Sequence, residues 1–152
     1  MLPEIKTILL AMTPINELRG TIPLAMGLWN LNPFKAFSLA VIGNMIPVFF
    51  LLWLWPSLSG FLIKKSRLAQ NFFSWLWQRT YRKFYKKHSL YGDLALILLV
   101  AIPLPFTGAW TGTVAAFLFK IPYQKSLSLI FLGVVIAGIV VTLASLGIFS
   151  LI

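Results

Sequence analysis

Residues 14–23, PINELRGTIP, interrupt an apolar segment that runs from Glu4 to Trp29. Proline removes a backbone hydrogen-bond donor and clashes with the preceding helical turn, so this segment is not expected to form one smooth helix. The apolar pieces on either side, residues 5–13 and 21–29, would each be about 14 Å long as helices, roughly half of a bilayer. Together they predict either one broken spanning helix or a re-entrant hairpin that returns to its own side of the membrane.

A second interrupted segment, residues 91–119, repeats this design. An apolar run at residues 91–102 is followed by PLPFTGAWTG at residues 103–112, and the apolar run resumes at residues 113–119. Non-helical backbone at membrane depth is tolerated only where it is buried in protein or lines a wet cavity, because lipid offers no hydrogen-bond partners. The two breaks are therefore expected to meet near the midplane, and their meeting point is the predicted binding site.

The composition of the whole chain excludes most soluble classes of protein. Its 152 residues are 59% hydrophobic and only 11% charged, and the mean hydropathy is +0.89. Three stretches carry no charged residue, residues 36–63, 94–119 and 126–152, and each exceeds the 18 or so apolar residues that cross a hydrocarbon core. We therefore predict an all-α integral membrane protein with a single membrane domain, residues 1–152.

The two interrupted segments belong to a predicted internal repeat, because each is followed by a long apolar helix, at residues 33–55 and 126–151. The corresponding positions are Gly20-Thr21 with Gly112-Thr113, Pro33-Phe34 with Pro122-Tyr123, and Gly43 with Gly133, at offsets of 92, 89 and 90. Chance similarity between apolar segments is the alternative. Paired interrupted helices recur in transporters built from inverted repeats, so we predict one repeat at residues 4–55 and another at 91–152.

The connector between the repeats, residues 56–88, is basic and aromatic. Eight of the 13 lysines and arginines lie between Lys64 and Lys87. At 100° per residue an aromatic face lies opposite a basic one, the two faces being Phe73, Trp77, Tyr81 and Phe84 against Arg79, Arg82, Lys83 and Lys86. This pattern predicts an amphipathic basic helix in the lipid headgroup region; the alternative is a solvated connector whose aromatic side chains pack on the membrane domain. Nucleic acid is not an expected partner, because a bilayer already explains the charge.

The distribution of basic residues also bears on topology. With loop 64–87 in the cytoplasm, two hairpins place ten basic residues inside and two outside, whereas two spanning segments place nine inside and three outside. The positive-inside rule therefore favours, weakly, two re-entrant hairpins that enter from opposite faces, which is an inverted repeat. We expect a multi-pass protein of the prokaryotic cytoplasmic (inner) membrane.

Glu17 and Arg19 are the charged residues expected at membrane depth. A charge at the bilayer centre costs about 2.5 to 3.5 kcal/mol even on the lenient insertion scale, so something must offset it. In one interpretation they are a structural pair, satisfied by each other and by loop backbone. In the other, Glu17 exchanges a proton or binds a cation, while Arg19 and free N–H groups near Gly20 and Gly112 hold an anionic headgroup or counter-ion.

Other side chains complete the predicted site. Hydroxyl groups and an indole N–H lie in the second break, and its two prolines are expected to shape the hairpin turn. An asparagine in the first long helix is expected either to hydrogen-bond a break or to make an ordinary contact between helices. The predicted binding residues are Glu17, Arg19, Gly20, Pro23, Asn44, Pro103, Pro105, Thr107, Gly108, Trp110, Thr111 and Gly112. The chain lacks cysteine and the common hydrolase, nucleotide and zinc motifs, so we expect no catalytic residue, no metal and no cofactor.

With residues 14–23 and 101–112 taken together, the chain resembles the small multidrug export protein family, which is similar to the DedA superfamily of membrane proteins. The resemblance covers nearly the whole chain. It implies an inverted-repeat fold with two re-entrant segments and, for DedA-like proteins, proton-linked transport or flipping of polyprenyl phosphate or other lipids. The residues that match are Glu17, Arg19, Gly20 and Pro23 in the first motif and Pro103, Pro105, Thr107, Gly108, Trp110 and Gly112 in the second. The second break here has no carboxylate or arginine, unlike a DedA-style site with charged groups from both hairpins.

These observations together predict a transporter of a lipid headgroup or an amphipathic small molecule, with protonation of Glu17 as the coupling event. The expected partners are membrane lipids, among them an anionic phospholipid or polyprenyl phosphate. A homodimer is expected because 152 residues leave little surface to enclose a cavity. The competing prediction is a non-transporting structural or lipid-organising protein whose buried pair only stabilises the broken helices.

Overall fold

A computed structural model of the protein describes residues 2–84, 89–102 and 107–151, without the side chains of residues 73, 76, 77, 79–84, 89 and 90. The elements in these ranges are all α-helices: α1 (Pro3–Ala11), α2 (Glu17–Gly27), α3 (Pro33–Lys65), α4 (Arg67–Phe84), α5 (Ser89–Ala101), α6 (Ala109–Leu118) and α7 (Tyr123–Phe149). Two of them, α3 and α7, are long and apolar enough to cross a membrane. The prediction of an all-helical fold with two helices of spanning length is confirmed.

The first interruption is shorter than the sequence predicts. Helix α2 begins at Glu17 and continues through Pro23, so that Arg19 and Gly20 also lie within a helix. A proline inside a helix costs about 3 kcal/mol. Packing of α2 against both α3 and α7 offsets this cost, and the hydroxyl of Thr21 donates to the carbonyl of Glu17 one turn earlier. The break itself is therefore residues 12–16.

Helix α3 is longer than predicted. It continues ten residues beyond Trp55 to Lys65, with Pro56 inside it, and ends where Ser66 adopts an extended backbone conformation. The segment predicted as a connector from residue 56 therefore starts within α3 and continues as α4. The predicted helix is present, but the side chains of its aromatic and basic faces lie outside the described part of the chain.

The two long helices run antiparallel. Near the start of α3, Phe37 packs so closely on Gly138 of α7 that a methyl group there would lie 2.7 Å from the ring. Twelve residues further along α3, the hydroxyl of Tyr123, at the start of α7, donates to the carbonyl of Phe49 at 3.2 Å. The start of α3 and the start of α7 therefore lie at opposite ends of the helix pair.

The shorter helices pack on this pair in a regular way. Gly43 lets the backbone of α1 approach α3 at Ile8, and Gly133 lets α5 approach α7 at Ile97; a side chain at either glycine would overlap its neighbour. Helix α2 contacts α7 as well as α3, and α6 contacts α3 as well as α7. The hydrophobic core draws buried residues from α1, α2, α3, α5, α6 and α7.

Candidate functional site

Glu17, the first residue of α2, reaches from the first interrupted segment to the second. Its side chain is buried, and its backbone adopts a left-handed conformation with φ of 45°. Carboxylate oxygen Oε1 accepts a hydrogen bond from the backbone N–H of Trp110 at 3.4 Å, and the N–H of Ala109 also donates to the carboxylate. These donors belong to the first two residues of α6. The buried carboxylate therefore lies at a helix N-terminus, where the helix dipole favours negative charge.

Gly108 makes room for this carboxylate. It is the residue before α6, it has φ of 145°, and it provides no side-chain cap for the helix. A Cβ at this position would overlap the carboxylate of Glu17. The first half of the chain thus supplies the acidic cap that the second half lacks at α6.

Arg19 lies at the other side of the second break. Its guanidinium nitrogen donates to the carbonyl of Ile102 at 3.3 Å and to the hydroxyl of Thr107 at 3.2 Å. The hydroxyl of Thr107 also donates to the Ile102 carbonyl at 2.9 Å. Because Ile102 directly follows α5, the guanidinium lies at a helix C-terminus, where the dipole favours a cation. The acid and the base of α2 therefore meet the two helix ends that flank the second break.

The N–H groups that the sequence predicts to be free near Gly20 and Gly112 are in fact bonded. The N–H of Gly20 donates to the carbonyl of Asn16 at 2.9 Å, and that of Gly112 donates to Gly108 at 2.8 Å. The reason is that α2 and α6 begin about one turn earlier than expected. The free N–H groups at the start of α6 are those of Ala109 and Trp110, and Glu17 bonds them.

The remaining predicted residues of the second break pack around this contact. The hydroxyl of Thr111 donates to the Gly108 carbonyl at 3.1 Å, inside the first turn of α6. Gly112 lies against Val100 of α5, which leaves no room for a side chain. The indole nitrogen of Trp110 is buried without a hydrogen-bond partner among the described residues. Pro103 and Pro105 lie outside the described residues.

Asn44 is a buried amide in the middle of α3. Its side chain is 1% exposed, and neither its oxygen nor its nitrogen has a hydrogen-bond partner among the described residues. Asn44 therefore makes no hydrogen bond to the described residues of either break. An unpaired buried polar group costs about 1 to 3 kcal/mol, so a purely structural use of this amide is expensive.

Two ion pairs were not anticipated from the sequence. Lys35 pairs with Glu4 at 2.7 Å, and Lys125 pairs with Asp93 at 2.6 Å. The hydrogen bond from Lys35 lowers the pKa of the Glu4 carboxyl group below its usual range. The two carboxylates are 89 residues apart and the two lysines 90, which are the offsets of the predicted repeat. Those offsets were the signal that would have revealed both pairs.

Among the described residues no cluster of three or more histidine, aspartate or glutamate side chains is placed to hold a metal ion. The polar groups brought together at the second break are instead one carboxylate, one guanidinium, hydroxyl groups and backbone N–H groups. These groups can bind ions and exchange protons.

The fold and this arrangement define a helical membrane protein in which charged side chains contact the ends of interrupted helices. The family model described as "Putative small multi-drug export protein" matches residues 17–140, from Glu17 into α7, and the chain belongs to this family. That description is of an export protein, which points to a transporter rather than an enzyme. Comparison with curated proteins finds no match, and comparison with solved structures finds none either. The link to the DedA superfamily stays a prediction.

Proposed function

We propose that the protein is a membrane transporter whose two interrupted segments, α1–α2 and α5–α6, are re-entrant hairpins arranged as an inverted repeat. The observation that carries this proposal is the contact of Glu17 with the start of α6, 93 residues away in the chain. It joins the two interruptions at one point that is buried in protein. Family membership supports export as the activity.

The positions of the helix ends support the hairpins. Glu4 near the start of α1 pairs with Lys35 near the start of α3, and the ammonium group of Lys6 lies 6.0 Å from the ring centroid of Trp29, just after α2. The two ends of the first segment therefore lie together at the start of α3. A segment that crossed the bilayer would separate its ends by about 30 Å. The Asp93–Lys125 pair relates α5 to the start of α7 in the same way.

The antiparallel arrangement of α3 and α7 supports the inversion. Because the two long helices start at opposite ends of the pair, the two hairpins enter from opposite sides. The glycine contacts are also equivalent, since Gly43 meets Ile8 and Ala11 of α1 while Gly133 meets Ile97 and Val100 of α5. Ile8 and Ile97 are 89 positions apart in the chain, and so are Ala11 and Val100.

The chemistry of the site suggests how transport is coupled. Helix ends that meet at the midplane are the ion and substrate sites of many secondary transporters. When Glu17 takes up a proton it loses the charge that favours its place at the N-terminus of α6, and the two hairpins separate more easily. Arg19 then holds the anionic headgroup of a lipid, such as an anionic phospholipid or polyprenyl phosphate, or the polar end of an amphipathic small molecule. Gly20, Pro23, Asn44, Thr107, Thr111 and Gly112 shape and line this site.

The proposed setting is the prokaryotic cytoplasmic membrane, with the basic loop 64–87 on the cytoplasmic side and two copies of the chain forming a homodimer. Membrane lipids are the expected partners. The positive-inside rule and the small size of the chain, as set out above, support this setting.

One observation favours a second candidate function, a structural or lipid-organising membrane protein. Glu17 bonds the end of α6 and Arg19 bonds the carbonyl that follows α5, so the interrupted helices themselves use both charges. Transport assays distinguish the two functions.

The hairpin topology can be tested by labelling single cysteines, because the chain has none of its own. Cysteines introduced by Lys6→Cys and Leu31→Cys are expected to react with a membrane-impermeant maleimide from the same side. A third, Gln124→Cys at the start of α7, is expected to react from the opposite side. Reaction of positions 6 and 31 from opposite sides would eliminate the first hairpin.

Transport can be tested in vesicles of zwitterionic lipid that contain a trace of headgroup-labelled phosphatidylglycerol. The wild-type protein is expected to accelerate movement of the labelled lipid between leaflets in a pH-dependent way, and Glu17→Gln is expected to lose the pH dependence while remaining folded. Glu17→Asp, which retains a carboxyl group, is the matched variant and is expected to keep part of it. A wild-type rate equal to that of protein-free vesicles, with Glu17→Gln lowering only the unfolding temperature, would favour the structural function.

A further inference from the structure

The chain has three carboxylates, and the proposed transport site uses one of them, Glu17. The other two, Glu4 and Asp93, form ion pairs at equivalent places. Each pairs with a lysine that is the third residue of a long helix, Lys35 in α3 and Lys125 in α7. Each pair therefore ties the first helix of an interrupted segment to the long helix that follows that segment.

The two pairs lie at opposite ends of the stretch over which α3 and α7 pack, because these helices run antiparallel and each pair lies at the start of one of them. Below each pair, α1 or α5 packs closely on its long helix at a glycine, Gly43 against Ala11 and Gly133 against Val100. Each end therefore combines this apolar contact with one ion pair between the same two helices.

Each pair joins an exposed lysine to a partly buried carboxylate, and oxygen Oε2 of Glu4 is buried without a hydrogen-bond partner among the described residues. The side chains of Lys35 and Glu4 are 52% and 34% exposed, and those of Lys125 and Asp93 are 46% and 19% exposed. Ion pairs that solvent reaches contribute little to stability, because water and salt screen them and ordering two long side chains has an entropic cost. A weak pair can break and re-form during a conformational cycle. Apolar packing in these positions would stabilise a permanent contact more than an exposed ion pair does.

We propose that Glu4–Lys35 and Asp93–Lys125 are matched latches, and that breaking one of them opens the Glu17–Arg19 site toward the end of the protein where that pair lies. Both pairs are formed in this structure, and Glu17 is buried. The structure thus shows both pairs formed around a buried carboxylate at Glu17. This inference rests on the inverted arrangement of the proposed transporter.

The latches can be tested with a reporter cysteine at the start of α6. Ala109 is fully buried next to Glu17, and Ala109→Cys keeps a small side chain there. In vesicles, its reaction with a membrane-impermeant methanethiosulfonate is expected to be slow from either side. Adding Lys35→Gln is expected to accelerate the reaction up to about fivefold from the side of Leu31→Cys, and adding Lys125→Gln from the side of Gln124→Cys.

Two further variants make the test specific to the ion pair. Lys6→Gln removes the same charge at the same end as Lys35 and is expected to leave the labelling rate unchanged. The charge swap Glu4→Lys with Lys35→Glu is expected to restore slow labelling, which a misfolded protein would not do. Unchanged labelling in both lysine variants, acceleration from one common side, or no restoration by the swap would overturn the latches.

The labelling test requires no transported molecule, so its outcome does not depend on whether the protein transports lipid. Side-specific acceleration in a protein that moves no lipid would refute lipid transport and retain the latches. Lipid movement without side-specific acceleration would retain transport and refute the latches.

Discussion

Replacing Gly108 with alanine is expected to lower the free energy of unfolding by about 3 to 5 kcal/mol. Two effects add. The backbone conformation at Gly108, φ 145° and ψ −163°, lies in a region that is essentially restricted to glycine. The added methyl group would also overlap the carboxylate of Glu17, so the buried acid would lose its hydrogen bonds to α6. Thermal unfolding in detergent micelles would measure the loss.

The matched control is Gly147→Ala in α7, where a methyl group would meet no atom of the other described parts of the chain within 4 Å. This variant is expected to unfold at the wild-type temperature or slightly above it, because alanine favours a helix more than glycine does. A Gly108→Ala protein as stable as Gly147→Ala would contradict the contact between Glu17 and α6.

Arg19→Gln is the second substitution with a large expected effect, a loss of about 3 kcal/mol in the free energy of unfolding. It removes the donor to the Ile102 carbonyl and the Thr107 hydroxyl, and it leaves the buried carboxylate of Glu17 without the cation that attracts it. Because Glu17 and Arg19 contact different helix ends and Arg19 is only partly buried, most of this loss is expected to come from the hydrogen bonds of the guanidinium group.

The double variant Arg19→Gln with Glu17→Gln tests this coupling. Removing both charges leaves no uncompensated charge at the second break, so the double variant is expected to be more stable than Arg19→Gln alone. An exposed arginine, Arg67 at the start of α4, provides the control, and Arg67→Gln is expected to change the unfolding temperature little. Glu17→Gln alone lowers the free energy of unfolding by some amount. If adding Glu17→Gln to Arg19→Gln lowers it by that same amount, the two charges act independently.

The long helices could be predicted from the sequence because the chain has uncharged stretches that are long enough to cross a bilayer. The ends of these helices could not be predicted. Pro23 and Pro56 suggest helix ends, but each lies inside a helix. At Pro23, packing of α2 against α3 and α7 offsets the local cost of a proline. Helices α2 and α6 begin at Glu17 and Ala109, about one turn earlier than expected.

The site, like the helix ends, could be predicted from the sequence only in part. The cost of burying a charge was enough to single out Glu17 and Arg19 and to require a second polar segment beside them. Which helix end each charge would take depends on the angle between α2 and the second segment, which no sequence pattern contains. The structure places the acid at the start of α6 and the base at the end of α5, and each position agrees with the helix dipole.

The two ion pairs could have been predicted from the internal repeat. Lys35 and Lys125 are separated by the repeat offset, and so are Glu4 and Asp93. The charges therefore follow the same repeat as the glycines and prolines.

Solid-state NMR in lipid bilayers can measure whether the carboxylate of Glu17 contacts the start of α6. Glu4→Asp keeps a carboxylate at position 4 and leaves Glu17 as the only glutamate in the chain. With carbon-13 on the glutamate carboxyl group and nitrogen-15 on the tryptophan backbone, strong dipolar dephasing from Trp110 is expected, because its backbone nitrogen lies 3.4 Å from the carboxylate oxygen. Absence of dephasing, together with rapid contact of the carboxyl group with bulk water, would contradict the contact between Glu17 and α6.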